Sequence, residues 1–483
     1  MNWKLEISAG KPGYHQIVHY FERKIVSGEL PPGNRLPPER ELALQLAVNR
    51  STVSAAYEEL RARGLITSVQ GSGTRVSELL WDTSERQAPN WRRYGGGSLF
   101  HPAEPYYKRI GQALSLPGIV NMSLGELSPD LMPLARLAQL SGEIDYDRPF
   151  SYWTNSRGDA WLRETLSAYL GRQLSIGAAP GQLIVTAGVK HALYLIVSAL
   201  LQPGDTVAVE GPSYLYAMQV FTPAGIRMVK LDVDEHGLIP ELVPELFRRH
   251  RIKMVFVNPT YQNPTGTTLP LARRRRLLEL CTELGLPIVE DDPYGRLSLS
   301  AGASLPAPIR ALPGAEQSVI YLGTLSKTVS PGMRIGWIAA PYPIAERLAE
   351  AKSRMGYTTS HPGERLAQRW LASDEAESHL AFVTDALARR RAVMLEAIRK
   401  HAAACTARFA PNAPQGGFYI WLKLRSPVPD KELFEACIRS GVIVMPGLIY
   451  GAEKGYLRLS YASVNDNLIE EGIARLGSAL RSL

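Results

Sequence analysis

Short apolar runs alternate with amphipathic runs through most of the chain, from about residue 113 onward. The run "LIVTAG" comes before "VKHALYLIVSALL", and "KMVFVNPTYQNPTG" comes before "LARRRRLLELCTELG". The first member of each pair is typical of a buried strand and the second is typical of a helix. Strands that alternate with helices predict an α/β fold with a mostly parallel sheet.

In such a sheet, ligands bind beyond the carboxyl ends of the strands, so the polar residues that follow each strand belong together. In chain order these residues are Val189 and Lys190, then Tyr214, then Asn263, then Asp291 and Tyr294, and then Thr324, Ser326 and Lys327, with Arg334 opening the next strand. Each one alone has an ordinary explanation, such as an asparagine favoured in the "NPTG" turn or a solvated surface lysine. Their convergence on one crevice predicts a ligand site.

The chemistry of pyridoxal 5′-phosphate needs this set of side chains. A lysine amine forms a Schiff base with its aldehyde, and a carboxylate keeps the pyridine nitrogen protonated so that the ring accepts electrons. Donors to the phenolate oxygen lower the pKa of the imine, and an aromatic side chain stacks on the ring. A helix N-terminus, hydroxyls and an arginine hold the phosphate. The crevice is therefore predicted to bind this cofactor.

The first eighty residues predict a separate domain. One helical face carries Tyr14, Ile17, Val18, Phe21 and Ile25, and another carries Val53, Ala56, Tyr57 and Leu60. A short segment, "PPERELALQLA", and the turn "VNRS" lie between these helices, which is the order of a helix-turn-helix. Two β-like runs about a glycine-rich tip follow in "LITSVQGSGTRV", as in a wing. A three-helix module that binds protein is the alternative.

The last helix begins with residues that suit contact with base edges. Arginine and small hydroxyls are found at the start of recognition helices, and here they are Arg50, Ser51, Thr52 and Ser54. The wing tip, Gly71, Ser72 and Gly73, has no bulk to keep its backbone from phosphates. The stretches "GNRLPPERELA", "NRSTVSAAYEELRARGLI" and "GSGTRV" resemble the winged helix of GntR-type bacterial regulators over residues 12–77. This resemblance implies DNA contacts at Arg35, Arg40, Arg50, Ser51, Thr52 and Gly73.

Residues 113–483 resemble a fold-type I aminotransferase, nearest the aminoadipate and kynurenine branch. The motifs "QNPTG", "EDDPYG", "TLSKTVSPGMRIGW" and "YLRLSYA" carry the resemblance in that order. It implies a large domain with a mostly parallel sheet and a smaller α+β domain.

The resemblance also implies a role for each site residue. Lys327 is the Schiff-base lysine, Asp291 pairs with the pyridine nitrogen, Tyr294 and Asn263 bind the phenolate oxygen, Tyr214 stacks on the ring, Thr324, Ser326 and Arg334 bind the phosphate, and Arg458 binds a ligand carboxylate. Val189 and Lys190 replace the usual hydroxyl and glutamine. Val189 offers only its backbone N–H, and Lys190 either adds a charge at the phosphate or points to solvent. Trp153, with Tyr152 beside it, stands where the family has a tyrosine donated by the partner subunit.

A winged helix joined through a linker, residues 78–112, to such a domain resembles the MocR subfamily of bacterial transcription regulators. The resemblance implies a regulator that depends on pyridoxal 5′-phosphate and binds double-stranded operator DNA as a head-to-tail homodimer. Its effector is the cofactor itself or an amine or amino acid. The alternative is a working aminotransferase with an appended DNA-binding module.

Composition limits the setting of the chain. No run of about 18 apolar residues is present, which predicts no membrane span, and the N-terminus does not resemble a signal peptide. Three scattered cysteines predict reduced thiols, no metal site and a cytoplasmic location. The net charge of +8 permits a polyanionic partner. The densest basic run, "ARRRR" at 272–276, predicts a solvated helix face, with contact to DNA phosphates as the alternative.

Overall fold

The computed structural model describes residues 13–69, 73–77, 105–144, 151, 155–300, 305–356, 358–407, 413–426 and 428–483. The chain divides into two compact units, Met1–Ser98 and Leu99–Leu483. Within the described ranges, no helix combines the length and the apolar character needed to cross a bilayer.

The first unit is a winged helix-turn-helix, as predicted. Its elements are α1 (Gly13–Val26), α2 (Glu39–Gln45), α3 (Arg50–Ala62), β1 (Ile66–Val69) and β2 (Gly73–Val76). The periodic apolar residues of α1 and α3 form the core, where Phe21 and Tyr57 are fully buried and meet edge to face. The Tyr57 hydroxyl donates to the Pro37 carbonyl at 2.8 Å, which fixes α3 against the entry to α2. An isolated antiparallel β-bridge between Arg35 and Arg75 joins the segment before α2 to the wing.

The second unit is built on an eight-stranded sheet in the order β4-β11-β10-β9-β8-β5-β6-β7. These strands are β4 (Leu183–Thr186), β5 (Thr206–Gly211), β6 (Arg227–Asp234), β7 (Gly237–Leu238), β8 (Val255–Val257), β9 (Ile288–Asp291), β10 (Val319–Thr324) and β11 (Gly336–Ala339). Neighbouring strands from β6 to β10 pair in parallel, whereas β11 runs antiparallel to both β10 and β4. The predicted mostly parallel sheet is confirmed.

Helices connect and cover these strands. The α-helices of the second unit are Pro105–Ala113, Leu134–Gly142, Ala160–Leu174, Val189–Leu200, Tyr214–Ala217, Val243–His250, Leu271–Glu283, Tyr342–Gly356, His361–Ala372, Glu375–His401, Asp430–Arg439 and Asp466–Arg481. Single 3₁₀ turns lie at Pro129–Leu131, Pro180–Gln182, Thr222–Ala224, Pro240–Leu242, Ile309–Ala311, Ala315–Gln317, Pro331–Met333 and Gly447–Tyr450. The continuous apolar strands are buried throughout, because helices pack on both faces of the sheet.

A smaller α+β part follows the large sheet in sequence. Its three-stranded antiparallel sheet contains β12 (Tyr419–Lys423), β14 (Met445–Pro446) and β15 (Tyr456–Ser460), in the order β12-β15-β14. A separate parallel pair joins β3 (Val120–Asn121) to β13 (Val442–Ile443). The helices Glu375–His401 and Asp466–Arg481 cover the apolar face of this part.

One buried arginine joins three segments of the smaller part. Arg390 is 2% exposed and donates to Asp130 and Asp466 at 2.5 Å each and to the Ser128 hydroxyl at 2.6 Å. These contacts tie the segment before the large domain to the two long helices that follow it.

The predicted linker, residues 78–112, lies largely outside the described residues. Its last part lies in the helix Pro105–Ala113, which packs within the second unit. Tyr106 meets Phe434 edge to face, and Arg109 makes a two-pronged ion pair with Glu435. Residue 113, the predicted start of the aminotransferase-like domain, is the last residue of this helix.

The basic run at 272–276 is not a uniformly solvated face, so that prediction was wrong for Arg274. This side chain is fully buried, and it donates to the carbonyls of Leu269 and Pro259 and to the Thr260 hydroxyl. A guanidinium can be buried where loop carbonyls accept its hydrogen bonds. Arg273 is also used within the fold, in a paired contact with Asp234 at 2.6 Å.

Candidate functional site

The carboxyl ends of the parallel strands open into a cavity of about 240 Å³. Every residue predicted from the sequence to hold the cofactor lines it: Val189, Lys190, Tyr214, Asn263, Asp291, Tyr294, Thr324, Ser326, Lys327 and Arg334. The structure thus brings together side chains that are separated by up to 145 positions in the sequence, from 189 to 334. Their individual roles remain predictions.

Asp291 ends β9 at the base of this cavity and is 3% exposed. Burial raises the pKa of Asp291 to about 7, against the opposing effect of a hydrogen bond from the Tyr214 hydroxyl. The charge of Asp292 raises this pKa further, and the ammonium of Lys327 lowers it. The Asp291 Oδ1 atom is buried without a hydrogen-bond partner among the described residues. This arrangement suits a carboxylate that receives a cationic N–H from a bound ring.

Lys327 follows β10 and provides the amine of the cavity. Its Nζ atom donates to the Gly125 carbonyl at 2.5 Å. The side chain is partly buried, so the amine is held at a defined position. An amine in this position can form a covalent bond with a carbonyl group of a bound ligand.

A cup whose N–H groups and Arg334 guanidinium can bind an anion closes one end of the cavity. The helix Val189–Leu200 begins after Gly188, and its first N–H groups and its positive dipole end lie at the carboxyl end of β4. Gly336 pairs with both Thr324 of β10 and Thr186 of β4, so the residues just before β11 lie at the same edge. Arg334 donates to the Ala187 carbonyl at 2.9 Å.

Sterics and hydrogen bonds define this cup closely. Gly188 has a φ of +80°, and a Cβ there would lie 2.9 Å from the Arg334 guanidinium. The Thr324 hydroxyl donates to the Ile335 carbonyl at 2.9 Å and accepts from the Ser326 N–H at 3.0 Å. The Ser326 hydroxyl is buried without a partner among the described residues, so it is free to bind a ligand oxygen.

These residues fit pyridoxal 5′-phosphate. The cavity offers an acceptor for a ring nitrogen at Asp291, an amine for an aldehyde at Lys327, and donors for a phosphate around Ser326. Val189 and Lys190 lie in the first turn of the helix that begins at the cup, and Lys190 is exposed.

Arg458 lies beside this cavity, in the central strand of the smaller sheet. It is 6% exposed, and within β15 it pairs with Trp421 of β12 on one side and with Met445 of β14 on the other. Its guanidinium donates to the Asn263 side-chain carbonyl at 3.0 Å and to the Ser123 carbonyl. Because the Asn263 oxygen is used in this way, its amide NH₂ remains as the donor available to a ligand.

Aromatic rings surround the Arg458 guanidinium. Its central carbon lies 4.2 Å from the ring centroid of Tyr419 and 5.0 Å from that of Tyr450. The Tyr419 hydroxyl lies 2.9 Å from the Tyr294 hydroxyl. The arginine predicted to bind a carboxylate is therefore connected to the cavity through Asn263 and through two tyrosines.

Sequence reasoning missed several residues of the site. Asn258 follows β8 directly, donates to the Asp291 carbonyl at 2.8 Å and accepts from the Asn263 N–H at 2.9 Å. The strand-end rule that selected the other residues also identifies Asn258. Tyr419 and Gly125 come from the smaller part, where that rule gives no signal. Trp153 and Tyr152, one of which was predicted to face the partner subunit, lie outside the described residues.

The first unit presents its predicted DNA-contact residues in two groups. Arg50 and Ser51 are exposed at the start of α3, with Thr52 and Ser54 partly exposed beside them. The Ser54 hydroxyl donates to Glu39 at 3.2 Å, and the Arg50 guanidinium lies 3.7 Å from the same carboxylate oxygen. The Glu39 carboxylate therefore holds the first turns of α3 against α2.

The second group lies on the wing and on α2. Gly73 has a φ of +84°, and a Cβ there would lie 3.3 Å from the guanidinium of Arg35. Arg35 and Arg40 are both exposed. Gly71 and Ser72, also predicted to contact DNA, lie outside the described residues.

Comparison with known proteins agrees with the division of the chain into two units. Residues 13–76 match the family model of bacterial regulatory proteins of the gntR family, and residues 117–476 match that of aminotransferase class I and II. The chain is 36% identical over 475 residues to the HTH-type transcriptional regulator YdfD of Bacillus subtilis, which covers 98% of this chain and 97% of that protein. It is 30% identical to the HTH-type transcriptional regulator TauR of Rhodobacter capsulatus, over 97% of this chain and 96% of that one.

The chain is a GntR-type transcription regulator of the MocR kind. Its aminotransferase class I and II domain is similar to the kynurenine aminotransferase of Pyrococcus horikoshii, solved in complex with PMP, with 31% identity and a TM-score of 0.73. That similarity covers 80% of this chain and 96% of the archaeal one. This MocR-type regulator therefore combines a DNA-binding winged helix with a fold-type I aminotransferase-like domain, a fold that implies binding of pyridoxal 5′-phosphate and is typically dimeric.

Proposed function

We propose that this regulator binds operator DNA through α3 and the wing, and that its second unit senses pyridoxal 5′-phosphate, or an amine or amino acid that reacts with it, at Lys327. One observation carries the proposal: a single cavity joins the Lys327 amine, the buried Asp291 carboxylate and an anion-binding cup, in a chain that also has a winged helix. The regulator relatives YdfD and TauR span almost the whole chain, which supports regulation over catalysis.

The proposed roles of the residues follow from their contacts. When bound, pyridoxal 5′-phosphate supplies an aldehyde that forms an imine with an amine and a ring that accepts electrons. Asp291 holds the proton on the ring nitrogen, and Ser326, Arg334 and the start of the helix Val189–Leu200 hold the phosphate. Asn263 and Tyr294 donate to the ring's oxygen substituent, and Tyr214 covers the ring.

Arg458 selects ligands that carry a carboxylate. A guanidinium has five N–H donors, and those that do not bond Asn263 and Ser123 are available to a second acceptor. An amino acid can therefore react through its amine in the cavity and be held by its carboxylate at Arg458. This favours an amino acid over a simple amine as effector.

The regulator acts as a head-to-tail homodimer in this proposal. The typical dimerisation of the aminotransferase fold supports two winged helices in one particle, and two such modules read two half-sites of an operator. Footprinting on an isolated operator, together with the mass of the complex in solution, tests this arrangement. Protection of a single short site by one chain would contradict it.

The alternative function is catalysis of transamination. Lys327 and Arg458 favour it, because both an amine and a carboxylate anchor serve an aminotransferase as well as a sensor. The test is rapid-mixing absorbance of the loaded protein with a panel of amino acids, followed by addition of a keto acid. Steady turnover near the median enzyme rate of about 10 per second would promote the catalytic function over the sensing function.

The decisive experiment for the cofactor site compares two lysines of the same cavity. Borohydride reduction of the loaded protein and peptide mass spectrometry should find the cofactor on Lys327. Lys327→Ala should abolish this trapping, whereas Lys190→Ala should retain it, because Lys190 lies exposed at the cup. Trapping on a different lysine would show that the assignment is wrong.

The link to DNA needs a separate measurement. Selection of bound fragments from a genomic pool, with and without pyridoxal 5′-phosphate, should recover an operator whose occupancy changes when the cofactor is added. Lys327→Ala should remove that change while still binding DNA. An occupancy that is the same in all conditions would limit the chain to constitutive DNA binding.

A further inference from the structure

Tyr419 contacts two residues to which the proposed function gives different tasks, and it also lies against the Gly125 backbone. It is the first residue of β12 and is 1% exposed. Its hydroxyl lies 2.9 Å from that of Tyr294, and its ring packs against the Arg458 guanidinium at 4.2 Å. A Cβ on Gly125 would clash with the Tyr419 hydroxyl, so the backbone that accepts from Lys327 lies directly against it.

We infer that Tyr419 is a positioning residue that links the carboxylate-binding arginine to the tyrosine that faces the cofactor's ring oxygen. This inference rests on the proposed function, because it requires Tyr294 to donate to that oxygen. When the Tyr294 hydroxyl donates into the cavity, its oxygen can serve as the acceptor of the 2.9 Å hydrogen bond. Tyr419 is then the donor, and it fixes the direction in which the Tyr294 proton points.

The Arg458 cation strengthens this effect. A guanidinium against an aromatic face draws electron density from the ring, which makes the attached hydroxyl a better donor. Hydrogen bonds in a chain polarise one another, so a better donor at Tyr419 makes Tyr294 a better donor in turn. Burial raises the pKa of Tyr294 well above its usual range, which keeps this phenol protonated at neutral pH.

The consequence is a defined route from the carboxylate site to the cofactor. A ligand carboxylate that binds Arg458 neutralises part of the charge against the Tyr419 ring. The hydrogen bond from Tyr419 to Tyr294 then weakens, and Tyr294 becomes a weaker donor to the ring oxygen of the cofactor. The effector class that this route detects is an amino acid with a free carboxylate.

The test is a pH titration of the visible absorbance of the loaded protein. Tyr419→Phe removes one hydroxyl and keeps the ring against Arg458. A donor to the ring oxygen stabilises the negative charge on that oxygen after the chromophore has lost its proton. A weaker donor stabilises this deprotonated form less, so the chromophore keeps its proton to a higher pH. The midpoint should therefore rise by a few tenths of a pH unit, less than the roughly one unit expected for complete loss of a hydrogen bond to the ring oxygen.

Tyr461→Phe is the matched control. Tyr461 is also fully buried in the smaller part, and its hydroxyl donates to the carbonyls of Gly416 and Gly417. Its loss should leave the midpoint in place. An equal rise in both variants would show general loosening and would overturn the assignment, as would an unmoved midpoint in Tyr419→Phe.

A second comparison keeps the test decisive if Tyr419→Phe is poorly stable. Tyr294→Phe should raise the midpoint by itself, and adding Tyr419→Phe to it should produce no further rise. Additive shifts would mean that the two tyrosines act independently, against the inference. A wild-type protein that shows no visible band after loading would instead refute the proposed function.

Discussion

Replacing Asp291 with asparagine should stabilise the cofactor-free protein at pH 8 and leave it almost unchanged at pH 5. Burial raises the pKa of Asp291 to about 7 from an ordinary value of 3.8. The folded state therefore binds the proton more tightly than the unfolded state does. Ionised Asp291 costs stability, and this cost grows as the pH rises from about 4 and is complete above about 7.

The magnitude follows from the size of the pKa change. Three pKa units at 1.36 kcal/mol each give a cost of about 4 kcal/mol at pH 8. The asparagine keeps an acceptor for the Tyr214 hydroxyl but buries an NH₂ group without a partner, which costs about 1–2 kcal/mol. The net gain is about 2–3 kcal/mol at pH 8. At pH 5 folded Asp291 is neutral while unfolded Asp291 is mostly ionised, so the remaining cost is only about 1.6 kcal/mol, and gain and loss roughly cancel.

Calorimetry of the cofactor-free protein provides the assay. For a unit of this length, 2–3 kcal/mol corresponds to a rise in Tm of about 3 °C at pH 8. Asp232→Asn is the control, because that side chain is 63% exposed and should give no pH-dependent change. A Tm that changes by the same amount at pH 5 and pH 8 would refute the burial argument. Asp291→Asn should also retain pyridoxal 5′-phosphate poorly, since it removes the carboxylate that is proposed to bind the ring nitrogen.

Further predictions concern the rest of the molecule. Arg390→Ala should lower the free energy of unfolding by about 2–3 kcal/mol in urea denaturation, less than for a fully buried pair because Asp130 and Asp466 are about half exposed. Arg50→Ala should weaken operator binding by about 1–3 kcal/mol if it contacts a base, with little change for random DNA; a change of about one in the salt slope would instead assign it to a phosphate. Conversion of amino acids by the loaded protein should be far slower than about 10 per second, because Val189 and Trp153 replace a hydroxyl and a tyrosine that are usual in aminotransferases, and an error of about 1 Å in such a site costs on the order of 100-fold in rate; rapid-mixing absorbance measures it.

The sequence predicted the large sheet and most of the cavity because both depend on local patterns. A buried strand followed by a polar residue is visible in a short window, and parallel strands place those residues at one edge. Asp291 and Lys327 were found in this way. Arg458 was predicted through the family resemblance, since it lies inside a strand of the smaller sheet where the strand-end rule does not apply.

The contacts that could not be predicted are tertiary. Arg274 reads as one of four equivalent arginines, and only the carbonyls that surround it distinguish it from its neighbours. The Tyr419 hydroxyl reaches Tyr294 across 125 positions of sequence, and nothing near either residue signals the pairing. The segment after β5 forms only the short helix Tyr214–Ala217 and a 3₁₀ turn at Thr222–Ala224, whereas the segments after β4 and β8 form long helices.

The direction of β11 has a consequence for how this domain can change. Because β11 runs against its neighbours, one hairpin delivers both the lysine after β10 and the arginine before β11 to the same edge of the sheet. A residue gained or lost between Lys327 and Arg334 would change the position of the amine relative to the guanidinium. A substitution within this hairpin can change the amine or the guanidinium alone, whereas a change in the length of the hairpin affects both. Descendants and engineered variants should therefore conserve the spacing of seven residues between Lys327 and Arg334 more strictly than the residues that fill it.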